Sequence, residues 1–423
     1  MKKILKKTIL LTITGVLAIT FNSCSSDDDS TTSSTTGNLS AGDQYLQNVL
    51  QADADSTINL TYADMAMQCD TLYQEITAMR SASKNNAVTQ DMVNSACRHW
   101  KNARARYEKS EAFLLGAAAD YNIDPHIDTW PLDRTGLHNQ LNTPNEISRL
   151  DGDDGISTAH SDLGQNNLGF HAVEFIIFRD GQPRKAEELN ANGYDSWNKE
   201  GVDFTSINGE TELVYAKAVA GDLRNSVYEL EVCWNEKSPQ EHQTVCSESD
   251  GIYKTSMPSS EHSYTWNLTN SGELGSTYTS IKNAISAILV GDGGCGGISD
   301  EVGETKIALP HTGSDVNYIE SPYSYNSLTD FYDNIQSIAN TWYGGTEGHR
   351  SDYSLHNYFI KYNATLGTQV ETAITKAQAA IKAIPSPFIL NYSSPLCETA
   401  MNACKTLSNE LTTANNFIQN NND

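Results

Sequence analysis

The sequence has 423 residues, of which 53 are acidic and 28 are lysine or arginine, so its formal net charge is −25 at pH 7. A chain this acidic repels nucleic acid and anionic lipid, which excludes a nucleic-acid-binding protein. The length is sufficient for two domains of ordinary size. Eight cysteines without a Cys-x-x-Cys pair exclude a zinc ribbon or a thioredoxin-type site.

Residues 1–23 are typical of an export signal. Four lysines precede an apolar run from Ile9 to Phe21, which is too short to span a bilayer comfortably. Cys24 closes a stretch that resembles a lipobox, although the three residues before it depart from the commoner pattern. We therefore predict a bacterial lipoprotein signal with lipid attached to Cys24, and an ordinary cleaved signal is the alternative.

Residues 24–42 predict a tether between a lipid anchor and the folded protein. Asp27 to Asp29 form an acidic run, and the residues from Ser30 to Ser40 are rich in serine and threonine. An acidic run after the lipid-bearing cysteine is typical of surface-export signals in some Gram-negative lipoproteins. We expect an outer membrane lipoprotein, on the periplasmic or the cell-surface face, with the surface favoured.

Apolar residues recur at helical spacing through most of the remaining chain. The stripes cover residues 65–79, 93–114, 213–234, 274–288, 328–342, 355–383 and 400–418. Sustained alternation with a period of two is nearly absent. The pattern predicts an all-α fold of two four-helix-bundle-like domains, residues 43–208 and 209–423, with the polar residues 236–272 as a surface insertion.

The segment from Gly169 to Phe178 is very apolar but carries His171 and Glu174. In a helix these two residues share a face, so both can reach one ligand or one metal ion. The pair alone is a weak signal, because a buried histidine bonded to its own i+3 glutamate satisfies both groups. Glu111 lies where the preceding apolar stripe predicts leucine, and a carboxylate at a core position is either paired or functional.

A metal at His171 and Glu174 needs further ligands from distant segments. The zinc-peptidase motif His-Glu-x-x-His is absent, and so is the inverted His-x-x-Glu-His form, because residue 175 is Phe175. Glu111 and Asp133 are the best candidates for the missing ligands. An oxygen-rich set with one imidazole suits iron, manganese, zinc or calcium, of which we favour iron or zinc.

Several segments in order resemble the imelysin-like family: Tyr62–Asp64, Tyr107–Phe113, Asp128–Asp133, the Gly-x-His-x-x-Glu segment Gly169–Phe175, and Glu320–Ser324. The resemblance implies two helical bundles with a site at their interface. It also implies exported, often lipid-anchored proteins linked to iron uptake. Transferred by motif, the site residues are His171, Glu174, Glu111, Trp130 and Asp133 from the first bundle, and Glu320, Ser321 and Ser324 from the second.

Three functions remain open at this stage. We favour a non-enzymatic outer membrane lipoprotein that binds a metal or a metal-carrying ligand in iron acquisition, together with iron-uptake components. The family takes its name from a member described as a metallopeptidase, and in that alternative Glu174 or Glu111 acts as general base on a metal-bound water. The third possibility is a structural or interaction protein whose polar pocket only fixes the packing of the bundles.

Overall fold

The structure is a computed structural model that describes residues 39–258 and 260–423. The predicted export signal, Cys24 and nearly all of the predicted tether lie outside these residues. Residues Leu39–Asp423 form one unit. In the described part of the chain, every helix is too short or too polar to cross a membrane.

The first half of the chain begins with long helices and continues with short ones. They are α1 (Ala41–Asp53), α2 (Asn59–Ser83), α3 (Gln90–Glu108), α4 (Ala117–Asp120), α5 (Ile123–Asp128), α6 (Arg134–Leu141), α7 (Pro144–Leu150), α8 (Gly155–Asp162) and α9 (Gly169–Ile177). A π-helical turn, Ala54–Ile58, joins α1 to α2. The Ser40 and Thr89 side chains accept backbone hydrogen bonds at the starts of α1 and α3, as N-caps do.

The second half contains α10 (Gly209–Trp234), α11 (Gln240–Ser247), α12 (Tyr264–Thr269), α13 (Ile281–Val290), α14 (Cys295–Asp300), α15 (Ala308–Thr312), α16 (Ser327–Tyr343), α17 (Leu355–Tyr362), α18 (Ala364–Ala383), α19 (Phe388–Asn391) and α20 (Leu396–Asn420). A π-helical segment, Glu301–Ile307, connects α14 to α15. Two antiparallel hairpins follow α9, with strands β1 (Phe178–Arg179), β2 (Gln182–Pro183), β3 (Asn198–Lys199) and β4 (Val202–Asp203). Short 3-10 turns cover Gln165–Asn167 and Ala186–Leu189.

Two sets of four helices each pack as a ring. In the first ring α2, α3, α9 and α10 each contact the next, and in the second α14, α16, α18 and α20 do the same. Contacts between α3 and α16 join the rings. The predicted all-α fold with two bundle-like groups is therefore confirmed.

Sequence order does not follow this packing. Helix α10 lies in the first ring, although the predicted boundary at 208/209 assigns it to the second domain. Helix α1, by contrast, packs on α12, α13 and α17 of the second half. A domain boundary between residues 208 and 209 therefore separates α10 from α2 and α9, the helices against which it packs. The reason is that the chain crosses between the two groups of helices.

Three local predictions need correction. Leu274 is fully exposed and lies outside any helix, and the helix of that region starts only at Ile281. The predicted helix over 355–383 is two helices, because the Asn363 side chain caps α18 by accepting from Leu366 N. Residues 236–272 are not merely a surface insertion, since they form α11 and α12 and bury Cys246, Tyr253, Met257 and Leu268.

Candidate metal centre

Helix α9 starts in close contact with the end of α5. Gly169 has φ +64, and a Cβ there would lie 1.9 Å from the carbonyl oxygen of Ile127. Only glycine fits both the backbone conformation and the contact. This approach places His171, in the first turn of α9, beside Asp128 at the end of α5.

The imidazole of His171 lies between two carboxylates. Its Nε2 is 3.2 Å from Asp128 Oδ1, and its Nδ1 is 3.1 Å from Glu174 Oε2. Burial would lower the pKa of His171, but hydrogen bonding to Asp128 and Glu174 raises that pKa to about 9. The imidazole is therefore protonated at neutral pH when no metal is bound.

Glu174 holds the segment that precedes α16. Its Oε1 accepts hydrogen bonds from Tyr323 N at 3.0 Å, from Ser324 N at 2.7 Å and from Ser324 Oγ at 2.7 Å. Its Oε2 faces His171, so both oxygens have partners. Ser321 in the same segment is buried with φ +46. Glu174 thus positions residues 320–324 against the first bundle and presents no open carboxylate oxygen.

Arg104 is fully buried within a shell of acids from both bundles. Its guanidinium pairs with Glu108 and Asp128, lies 2.7 Å from Glu320 Oε1, and has Nε 4.0 Å from Asp330 Oδ2. Burial would lower the pKa of Arg104, but these carboxylates raise it well above its ordinary value. Arg104 is a permanent cation that ties α3 to the second bundle.

Lys306 supplies a second buried cation from the π-helical segment. Its Nζ is 3.1 Å from Glu320 Oε1, 3.5 Å from Glu111 Oε1 and 3.8 Å from Glu108 Oε2. It also lies 5.1 Å from the centre of the Trp130 ring, a cation–π distance. Irregular π turns of this kind are frequent at functional sites.

The acids of this cluster outnumber its cations. Arg104, Lys306 and protonated His171 face the carboxyl groups of Glu108, Glu111, Asp124, Asp128, Glu174, Glu301, Glu320 and Asp330. Burial is the main reason that the pKa of Asp124 rises to about 6 and that of Asp330 to about 7. Several carboxyl groups therefore either hold a proton or need a further cation.

A cavity of about 230 Å³ opens beside these acids. Glu111, Asp124, Asp128 and Glu301 contribute to its wall, together with Trp130. A larger cavity of about 660 Å³ lies near it, and its lining includes Trp130 and His171. The indole of Trp130 therefore borders both spaces.

The residues present fit a metal ion of oxygen preference. Asp128, His171 and Glu320 can bring one ligand atom each within 4.8 Å of one another, and so can Glu108, Glu111 and Asp128. Glu320 Oε2 is buried and has no hydrogen-bond partner among the described residues. Arg104 and Lys306 lie among the same acids, so a metal ion has to compete with these cations.

The structure gathers most of the predicted site residues in this cluster: Glu111, Trp130, His171, Glu174, Glu320, Ser321 and Ser324. Asp133 does not join them. Its side chain is exposed and accepts from Gly136 N, so it is the N-cap of α6. The prediction of Asp133 as a metal ligand is not supported, because its carboxylate is committed to the start of a helix.

Sequence reasoning missed the two buried cations, Arg104 and Lys306, and five of the eight acids: Glu108, Asp124, Asp128, Glu301 and Asp330. Asp128 is the first residue of the segment Asp128–Asp133, which also contains Trp130, so its place in that segment was a signal that could have identified it. The reason given for Glu111 was also wrong, since α3 ends at Glu108 and Glu111 follows in a turn. Its predicted burial is nevertheless correct.

Fold and cluster together define an all-α protein of two bundles with a buried, charge-rich centre at their junction. The sequence model of the Imelysin family (Peptidase_M75) matches residues 58–414. The chain belongs to the Imelysin family.

Relatives of known sequence or structure cover most of the chain. It is similar to iron-regulated protein A of Synechococcus elongatus, with 23% identity over 84% of this chain and 81% of that protein. A solved structure assigned as an iron-regulated protein A precursor from Parabacteroides distasonis has 28% identity and a TM-score of 0.71, covering 90% of this chain and 96% of the other. An imelysin-like protein from Psychrobacter arcticum, 12% identical with a TM-score of 0.50 over 89% and 94% of the two chains, shares the fold.

Proposed function

We propose that this protein binds a metal cation, or a ligand that carries one, at the buried cluster, and that it serves in iron acquisition. The observation that supports this most directly is the excess of buried carboxyl groups beside an open cavity. Bringing a multivalent cation to such a site removes an electrostatic penalty that the empty protein carries. The relatives named iron-regulated protein A support iron as the metal concerned.

We also propose that the protein is a lipoprotein of the outer membrane, anchored through Cys24 and facing the cell surface. The basic and apolar residues before Cys24 and the acidic run after it support this location. Iron-uptake components of the same membrane are the partners that such a location favours. A Cys24→Ala variant is expected to leave the membrane fraction, and protease treatment of intact cells tests the surface location.

The metallopeptidase alternative needs a carboxylate free to act as general base. Both oxygens of Glu174 have hydrogen-bond or ion-pair partners inside the protein, which disfavours it as that base. Glu111 borders the acidic cavity, but burial raises its pKa well above the ordinary value, and its carboxyl group already lies 3.5 Å from the buried ammonium of Lys306. These contacts favour binding over hydrolysis.

The test is metal content by elemental mass spectrometry on protein purified without chelators. The informative variant is the double change Glu111→Gln and Glu301→Gln, which removes two acids from the cavity wall. Glu304→Gln, an exposed change in the same π-helical segment, is the matched control. We expect stoichiometric metal in the wild type and in the control, and its loss in the double variant.

The same preparations separate the alternatives. Metal without peptide turnover supports the proposal, whereas metal-dependent cleavage of peptides that disappears in Glu111→Gln supports the peptidase. Metal-free wild-type protein that takes up neither iron nor zinc contradicts the proposal. In that case the cluster has only a structural role in joining the bundles.

A further inference from the structure

A second group of metal-ligating residues is formed by α5, α8 and α10. His126 of α5, His160 of α8 and Asp222 of α10 come from three different helices. Their ligand atoms all lie within 4.8 Å of one another. None of the three residues belongs to the cluster around Arg104 and Lys306.

Asp222 is the centre of this group. His126 Nε2 lies 2.7 Å from Asp222 Oδ2, and His160 Nδ1 lies 2.8 Å from Asp222 Oδ1. The centres of the two imidazole rings are 4.5 Å apart. Tyr253 donates its hydroxyl to Asp222 Oδ1 at 3.1 Å, an additional contact that orients the carboxylate.

Among the described residues, no lysine or arginine forms an ion pair with Asp222. Its ion-pair partners in that part of the chain are the two histidines alone. The Asp222 side chain is 1% exposed, so its negative charge is almost fully removed from water. Two imidazoles around such a carboxylate offer nitrogen ligands to a metal ion without a lysine or arginine that competes with it.

A cavity of about 240 Å³ gives access to this group. His126, His160, Ser226 and Glu229 all line it. Ser226, one turn after Asp222 on α10, is 1% exposed, and its Oγ has no hydrogen-bond partner among the described residues. A buried hydroxyl without a partner is costly, and a metal-bound water in the cavity would give it one.

We propose that His126, His160 and Asp222 form a second metal site, which binds a divalent transition-metal ion such as Zn²⁺ and leaves an open coordination position toward this cavity. Two imidazoles and one carboxylate are a ligand set used for Zn²⁺ and for non-haem Fe²⁺. Ligands of a tetrahedral zinc lie roughly 3.3 Å apart. In the structure the nitrogen–oxygen distances to Asp222 are 2.7 and 2.8 Å. Each imidazole therefore has to move about half an ångström away from Asp222 to reach the spacing of zinc ligands.

The two histidine side chains have room for this movement. The side chains of His126 and His160 are 13% and 25% exposed, and both border the cavity. Glu229 borders it too and is anchored by Lys254 N, which donates to Glu229 Oε1 at 2.8 Å. Its carboxylate supplies either a fourth ligand or an acceptor for a metal-bound water.

The first experiment titrates the full mature protein with Zn²⁺ in an isothermal calorimeter, comparing the wild type with His160→Gln. His356→Gln is the matched control, because His356 also pairs with one carboxylate, Glu371, but outside this group. We expect the control to retain the wild-type affinity for zinc. His160→Gln is expected to bind zinc more than about tenfold more weakly, because removing even a residue that only supports a metal ligand costs at least that much affinity. Equal affinity in all three proteins, or no zinc binding, overturns the proposal.

A second experiment needs no variant and identifies the ligands directly. Crystals of the wild type soaked in Zn²⁺ are measured on both sides of the zinc absorption edge. An anomalous peak among His126, His160 and Asp222 supports the site, and zinc at the Glu111 cavity alone overturns it. Copper in place of zinc adds an independent readout, since coupling to two nitrogens in the electron paramagnetic resonance spectrum is expected here and contradicts binding by oxygens alone.

Discussion

Glu174 and Ser324, 150 residues apart in sequence, are joined by two hydrogen bonds of 2.7 Å, one from the Ser324 backbone N–H and one from its hydroxyl. The carboxylate comes from the first bundle and the donors come from the segment that leads into the second. The same oxygen also accepts from Tyr323 N. The glutamate of the Gly-x-His-x-x-Glu segment therefore has a structural task that its spacing from His171 does not reveal.

Replacing Glu174 by alanine is expected to destabilise the protein strongly. The change leaves three buried donors without an acceptor, each costing about 1–3 kcal/mol, so a loss of about 3 kcal/mol or more in the free energy of unfolding is expected. Denaturant unfolding measures it. Glu304→Ala is the control, since Glu304 is largely exposed and pairs only with the exposed Lys405. A loss below 1 kcal/mol in Glu174→Ala contradicts the assigned role.

Removing Arg104 tests the other link between the bundles. An Arg104→Met variant keeps the apolar stem but leaves Asp128, Glu108 and Glu320 without their buried cation. Breaking a buried ion pair from one side costs about 3–5 kcal/mol, which is the expected loss in unfolding free energy.

The control for Arg104 lies on the same helix. Arg106 pairs with the partly exposed Asp64, so Arg106→Met is expected to change stability by less than about 1 kcal/mol. Thermal unfolding of the two variants side by side gives the comparison. Similar effects of both changes contradict a special role for the buried guanidinium.

The helices of this protein follow from local pattern, because an apolar stripe at helical spacing needs a core to cover it. The stripe from Leu213 to Trp234 corresponds to a helix of the structure, and so does the 93–114 stripe as far as Tyr107, after which α3 ends at Glu108. The breaks are less visible, since a single capping side chain at Asn363 divides one apolar stripe into two helices. Which helices pack together is not local at all, as the position of α10 in the first ring demonstrates.

The site was predictable from the sequence only where the residues in contact are close together in the chain. His171 and Glu174 are three residues apart on one helix, so their pairing follows from spacing. Arg104 and Glu320 are 216 residues apart, and no spacing rule connects them. Asp128 and Asp133 look equivalent in sequence, but Asp128 is buried at the end of α5, whereas Asp133 is exposed and caps the start of α6.

The charge state of His171 gives a pH-dependent prediction for the metal-free protein. Its folded pKa of about 9 lies above the ordinary value of 6.5, so its stabilising contribution is complete below about pH 6.5 and is lost as the pH rises through 9. The contribution is about 3 kcal/mol at most. We expect the stability difference between the wild type and His171→Gln to shrink between pH 6.5 and pH 10.

Chemical unfolding at several pH values, with metal removed by chelation, measures this difference. The control is His99→Gln, because His99 pairs with Glu75 at a partly exposed position on α3. Other groups titrate in the same range in all three proteins, so only the differences are compared. A constant difference between the wild type and His171→Gln from pH 6.5 to pH 10 contradicts a protonated imidazole in the folded protein.

Lys306 is expected to limit the affinity of the cluster for metal ions. Its ammonium lies within 3.8 Å of Glu320, Glu111 and Glu108 and so occupies the space in which a cation gains most from these carboxylates. A Lys306→Met variant should unfold more easily without metal, yet bind a divalent cation at least about tenfold more tightly, a gain of about 1.4 kcal/mol. Calorimetric titration with Mn²⁺ or Fe²⁺ measures the affinity, and Lys405→Met, which removes an exposed lysine, is the control. Weaker binding in Lys306→Met means that the lysine helps to organise the metal ligands and does not compete with the metal.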